Sequence, residues 1–290
     1  MSIEEKIRAM VAALPTLPTV TYQLLKVVND PDSDADEISK VIKYDPALTA
    51  NILRAANSAY LGFSKPVSTL ADATTRLGTK WIVQLALSSM VHSNIQKPVR
   101  GYGLEGLELW QHSAAVAIMS DALCVQVNVA NNGTIYTAGL VHDVGKLVLE
   151  QLVGDRLEEI ERAVAEDNMS FEQAERHVIG LDHTEAGALI LGHWNLPEVI
   201  IEAVRWHHDP DAIENPGPAV DIVHIADSLC MMQGIGLGRD GLQYRMCDSS
   251  VERLGLNATH IEKATSTLLE TLGEVEAMFE QPQQAAVEER

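Results

Sequence analysis

Apolar residues along this chain recur at steps of three and four, and period-two runs of Val, Ile and Thr are missing, so the pattern predicts helix almost throughout. After the proline-punctuated stretch LPTLPTV, Thr19 is placed to cap a helix carrying Tyr22, Leu25 and Val28 on one side and ending near Asn29-Asp30-Pro31. A second helix is expected from Asp34 or Asp36, with Ile38, Val41 and Ile42 on its apolar side. Asp45-Pro46 restarts the chain into a third, with Leu48, Ile52, Leu53 and Ala56, because proline suits the first position of a helix. A loop over NSAYLGFSKPV, a helix from Leu70 to Arg76, a break at Gly78 and a helix from Lys80 to Val91 follow.

The first ~95 residues thus form a small bundle near the lower limit of independent folding, so it is expected to pack on the rest. The stretch QKPVRGYGLEGLE, with Pro98, Gly101, Gly103 and Gly106, marks a boundary near residue 100. Longer helices are expected beyond it, over 107–128, 131–151, 155–167, 170–191, 197–207, 217–233 and 258–279. The fold expected is all-α: an N-terminal helical subdomain over 1–100, a second helical domain over 101–280, and a disordered tail over 281–290, where QPQQAAVEER has no periodic apolar face.

Composition narrows the function. Hydrophobic residues make up 46% of the 290, enough for a real core, and aromatics only 4%. Lys and Arg number 21 against 41 Asp and Glu, and a net charge of −20 repels phosphate backbones and anionic lipid, so no nucleic acid partner is expected. The helix pair around Gly78 has a helix-turn-helix outline, a shape common in helical proteins, and the charge opposes DNA. No apolar window reaches the ~18–20 residues of a membrane span, and MSIEEKIRAMVAALP lacks the features of an export signal, so the expected location is the cytoplasm, with no membrane contact. Cys124, Cys230 and Cys247 lie far apart with no CxxC spacing, which argues against both a disulfide framework and a thiolate metal site and suits a reducing compartment.

The chemistry is carried by histidine. Most of the ten histidines fall between 112 and 224, several beside carboxylates. In GLVHDVGKLVL, His142 and Asp143 interrupt an apolar run that draws them into the core, where an ionised Asp143 costs several kcal/mol unless paired or bound to a cation. Lys146, one turn on, can pair with Asp143 or meet an anionic ligand. Alone, a His-Asp pair reads more readily as a capped or salt-bridged helix end than as a metal site, and the surroundings change that balance. Glu108 and His112, four apart in LELWQHS, share a helix face on which both can reach one ion. His183 opens a helix in GLDHTEAG, with Glu185 placed to support it; His207 and His208 close one in VRWHHDP, and Asp227 lies in the apolar IVHIADSLC. His224, three before Asp227, lies near the same face. His92 and His260 read as surface, His177 as solvated, and His193 as partly buried near Trp194. Met119, Met231, Met232 and Met246 read as core filling.

His112, then His142-Asp143, then Asp227 resembles, in that order, the pattern of the HD superfamily of metal-dependent phosphohydrolases. Over nearly the whole chain, LPTLPTV, ISKVIKYDPALTANILRAANSAYLG, TRLG and TAGLVHDVGKLVL resemble the HDOD family, the HD-related output domain of bacterial signalling proteins. That resemblance implies a regulatory protein acting through a signalling partner or a small phosphorylated ligand, with catalysis open. The chain is also similar to the HD-GYP phosphodiesterases in its ligand set. By that likeness Glu108, His112, His142, Asp143, His183, His207, His208 and Asp227 hold one or two divalent ions of iron, manganese, nickel or zinc, with Asp143 bridging. Asp143 and Lys146 would then serve any catalysis, Lys146 over a substrate phosphate, in a phosphohydrolase or phosphodiesterase acting on a nucleotide-type ester. After His207-His208 the chain reads DPDAIENPGP, where that subfamily has Gly-Tyr-Pro.

Overall fold

The structure, a computed structural model, describes residues 3–13, 23–24, 26–27, 35–43, 45–57, 66–92, 98–105, 107–130, 133–241 and 246–279. Residues 23–24 and 26–27, within the helix expected from Thr19, are helical, whereas its start and Tyr22, Leu25 and Val28 lie outside the described residues, as do the LPTLPTV punctuation, the start at Asp34, Gly106, the side chain of His92 and the tail. Among the described residues the regular elements are all helical, with one isolated bridge between Val99 and Leu104. The fold is that of an all-α protein.

The N-terminal elements are α1 (Ile3–Ala13), α2 (Ala35–Lys43), α3 (Pro46–Ala56), α4 (Leu70–Leu77) and α5 (Thr79–His92). Their starts follow the polar signals in the sequence. Asp45 accepts from the Leu48 N–H at 2.9 Å ahead of Pro46, and Thr69 accepts from the Asp72 N–H at 3.1 Å. Asn57 is tied to Val67, its amide donating to the Val67 carbonyl and its oxygen accepting from the Val67 N–H, each at 2.7 Å. Helices α3, α4 and α5 pack together, whereas α1 lies against two helices of the C-terminal part, α8 and α11.

That part comprises α6 (Glu108–Gln126), α7 (Thr134–Val141), α8 (Lys146–Asp155), α9 (Leu157–Asp167), α10 (Phe171–Ile179), α11 (His183–His193), α12 (Glu198–Trp206), α13 (Pro218–Met232), α14 (Asp248–Leu254) and α15 (Ala258–Phe279). Helix α6 is its axis: α7, α13 and α15 pack around it, and α12 closes on α7, α11 and α13. One continuous apolar cluster runs from Ile7 to Leu272 across the expected boundary at 100. None of the described helices is long and apolar enough to cross a membrane.

Two expected helices are each broken in two, and both breaks shape the site. The 131–151 pattern divides at His142–Gly145, where Val144 N–H reaches the Val141 carbonyl and Lys146 N–H the Asp143 carbonyl, both at 3.0 Å in tight three-residue steps. Here Gly145 presses on the start of α11: a Cβ added to it would lie 1.9 Å from the His183 carbonyl oxygen. The 170–191 pattern divides at Gly180, whose φ of +99° is open to glycine, and Asp182 then caps α11 by accepting from the Glu185 N–H at 2.9 Å. Helix α14 is absent from the expected set, because its seven residues carry only Val251 and Leu254 as apolar positions.

Candidate metal centre

Three helices and two turns deliver the histidines and aspartates to one place. His112 comes from the first turns of α6, His142 and Asp143 from the break after α7, His183 from the first position of α11, His207 and His208 from the end of α12, and Asp227 from the middle of α13. Their side chains are at most 5% exposed. They form two adjoining groups, one of Asp143, His183, His207 and His208 and the other of His112, His142 and Asp227, within each of which one ligand atom per residue lies within 4.8 Å of the rest.

Asp143 stands between the groups. Its Oδ1 lies 3.6 Å from His183 Nε2, and its Oδ2 lies 3.4 Å from His142 Nε2 and 3.8 Å from His112 Nε2. Asp227 Oδ1 accepts from His112 Nε2 at 3.0 Å and lies 3.8 Å from His142 Nε2, while its Oδ2 is 3.8 Å from His208 Nδ1. The His183 and His208 Nε2 atoms face each other at 3.0 Å.

The orientation of the rings is fixed from behind. Nδ1 of His142 bonds the Gly139 carbonyl at 2.8 Å, and Nδ1 of His207 the Val204 carbonyl at 2.7 Å, each one turn back on its own helix. Nδ1 of His183 bonds Glu175 Oε2 at 2.6 Å, and Nδ1 of His112 the Ile235 carbonyl at 3.0 Å. Each of these four rings therefore ties Nδ1 outward and turns Nε2 to the centre, where an ion would take the place of any proton on Nε2, the arrangement by which an outer partner orients a ligating imidazole.

The interior is short of partners and of positive charge. Buried and without a hydrogen-bond partner are His142 Nε2, Asp143 Oδ1 and His207 Nε2. Such orphaned atoms are costly unless something else meets them. Asp143, Glu175, Asp227 and Asp240 are buried carboxylates, whereas among the described residues the one buried ammonium is Lys146, which pairs with Asp143 and Asp240. Burial, and then the neighbouring His142, push His207 down to about 3, and burial with His207 holds His208 well below its usual range, so both rings stay neutral. Burial opposes ionisation of Asp143, yet His142 and Lys146 hold its carboxyl well below the usual range. Asp227 falls to about 2 against burial, through its bond from His112 and the charge of His142. His183 is raised to about 9, burial being outweighed by Glu175. Neutral imidazole nitrogen and ionised carboxylate oxygen are the donors that divalent iron, manganese, nickel or zinc accepts; His207 and His208 are already neutral, and on His183 an ion would displace the proton that Glu175 favours, so the residues fit such ions.

Not every expected residue converges. Glu108 is exposed, and its carboxylate turns back to accept from the Glu105 N–H at 2.7 Å. Lys146 is buried between two carboxylates, Asp143 Oδ2 at 2.7 Å and Asp240 Oδ2 at 2.6 Å, and its ammonium lies 5.4 Å from the Tyr102 ring centre. The carboxylate behind His183 is Glu175, which also accepts from the Tyr102 hydroxyl; Glu185 instead pairs with Arg205 at 3.1 Å. His224 supports the paired histidines, donating from Nδ1 to the His207 carbonyl at 2.6 Å and accepting from the Cys247 N–H at 2.9 Å. His177 and His193 are exposed.

Glu175, Asp240, Tyr102 and Ile235 escape a reading of the sequence. Glu175 follows the rhythm of an ordinary amphipathic helix, and Asp240 sits in a glycine-rich loop where an acid reads as solvated. The available signal was indirect: the repeated glycines of GIGLG mark a backbone approached closely by other groups.

Comparison with known proteins shows the family of the chain. Residues 14–210 match the family model of the HDOD domain. An HDOD domain protein of unknown function from Geobacter sulfurreducens superposes with a TM-score of 0.71 and 26% identity, over 96% of this chain and 98% of its own. A Shewanella amazonensis SB2B protein provisionally named as a phosphohydrolase superposes with a TM-score of 0.62 and 24% identity over 90% and 97%, a likeness of fold. An uncharacterized protein of Treponema pallidum (strain Nichols) is 26% identical over 219 residues, 74% of this chain; the matched stretch spans 41% of that protein's length.

Proposed function

Because the chain belongs to the HDOD domain family, we propose that it is a bacterial signalling module that holds one or two divalent metal ions and acts through a protein partner or a small phosphorylated ligand. One observation carries the metal: four imidazoles from separate parts of the chain each tie Nδ1 outward and present Nε2 to a pocket of ionised carboxylates. Asp143, His183, His207 and His208 would hold one ion, and His112, His142 and Asp227 the other. Two features favour a regulatory role. Lys146, the cation nearest the centre, is already engaged by Asp143 and Asp240, and the ligating side chains are covered.

A second reading, a metal-dependent phosphohydrolase or phosphodiesterase of nucleotide-type esters, draws on Asp143, whose two oxygens face the two groups. Ions there would supply Lewis acidity toward a phosphate oxygen. In that reading Lys146 must leave one carboxylate to meet the substrate. Elemental analysis of protein purified without added metal, followed by incubation with a nucleotide panel, separates the two. A metal-to-chain ratio between one and two without turnover is the expected result. Turnover that chelation abolishes would establish the hydrolase, and a ratio of zero that added metal does not raise would end both.

A further inference from the structure

The loop Gln233–Gly241, which follows α13, is fastened to the centre at two points and carries no ligand itself. At the first, the Ile235 carbonyl accepts from His112 Nδ1 at 3.0 Å. At the second, Asp240 Oδ2 accepts from Lys146 Nζ at 2.6 Å, and the same ammonium donates to Asp143 Oδ2 at 2.7 Å. Glycines make the approach possible. A Cβ on Gly236 would lie 2.4 Å from His112 Cβ, and one on Gly238 would lie 2.6 Å from the Tyr102 carbonyl oxygen, which accepts from the Arg239 N–H at 2.8 Å. The outer side of the loop reaches the surface at Leu237, which is 41% exposed.

We infer that this loop reports the charge of the metal centre, Asp240 and Ile235 tightening on Lys146 and His112 when a divalent cation is held by His112, His142 and Asp227. The inference rests on the metal-holding reading above and adds what that metal controls. Lys146 divides its donors between two carboxylates at nearly equal distance. A divalent charge beside Asp143 draws on the same Oδ2 and repels the ammonium, which leaves Asp240 as the stronger partner. A cation on His112 Nε2 also polarises the ring and makes Nδ1–H a better donor to Ile235. Both effects have the same sign, and both act on one short, glycine-hinged segment. Linkage then requires the reverse: whatever loosens the loop weakens the metal by the same factor.

The test is amide hydrogen exchange of Ile235, Gly238 and Arg239 in the full chain, with and without Mn2+, in parallel with Mn2+ affinity by equilibrium dialysis. Mn2+ is expected to slow exchange of these amides on the order of tenfold, the low end of what outer partners of metal ligands contribute. Asp240→Asn, which keeps the shape and removes the charge, should abolish most of that slowing and weaken Mn2+ by a matching factor, while Mn2+-independent protection in α6 stays unchanged. If Asp240→Asn alters the fold, wild-type exchange alone decides. Bound Mn2+ with unchanged loop exchange overturns this inference and spares the metal reading. No bound Mn2+ overturns both.

Discussion

The two halves of the centre are built from the same residue types but held in different ways. In the four-ligand half, His183 is backed by the Glu175 carboxylate, and the His207-His208 turn is braced by its own helix and by His224. Every support is helical or charged. In the three-ligand half, His142 is backed by its own helix, but His112 leans on a neutral carbonyl of a glycine-rich loop. A carboxylate behind an imidazole raises its basicity more than a carbonyl does, and a helix holds a ring more firmly than a loop. The four-ligand half should therefore hold its ion the tighter, and the three-ligand half should be the exchangeable one, where occupancy can carry a signal.

The comparison breaks hardest at the residue both halves share. Asp143→Ala should weaken both ions by more than about a hundredfold, beyond the 10–100-fold typical of partners behind the ligands. Metal content after gel filtration, with circular dichroism to establish that the helices persist, measures it. Retention of one ion at full affinity would show that the halves are independent. Glu175→Gln sharpens the contrast with a smaller effect. Gln keeps an oxygen for His183 and Tyr102 but loses the charge, so the four-ligand half should weaken by about 10–100-fold while the other half is unmoved. Stepwise chelator titration reads the two separately, and equal loss from both would remove the distinction between them.

The three-and-four spacing made the helical class legible, and seven converging residues were legible because His142, Asp143 and Asp227 interrupt apolar runs, while His112, His183, His207 and His208 stand near carboxylates and follow the order of the HD families. Glu108 misled because its spacing to His112 defines a shared face but not a rotamer, and the free N–H of Glu105 at the helix start takes its carboxylate. The breaks at His142–Gly145 and Gly180 were hidden for a related reason. Periodicity records which faces are buried, whereas the first break exists so that Gly145 can touch the His183 backbone, a contact between distant segments. Glu175 and Asp240 are ordinary acids in sequence and become structural only through partners 8 and 94 positions away, His183 and Lys146.

The smallest expected effect comes from the outer side of the loop, where Arg239 pairs with Glu161 at 2.8 Å and both side chains are nearly half exposed. Ion pairs of that kind contribute about 0.2–1 kcal/mol, and salt screens them. Glu161→Gln should therefore change Mn2+ affinity by less than about fivefold, with the difference fading as ionic strength rises. Asp240→Asn acts on a buried ammonium that salt cannot reach, so its larger effect should persist under the same conditions. If Glu161→Gln weakened Mn2+ as much as Asp240→Asn and the loss survived high salt, the three-ligand half would depend on the loop as a whole body and not on the Lys146 contact. The loop would then belong with the rigid supports of the other half, and the contrast between the two halves would disappear.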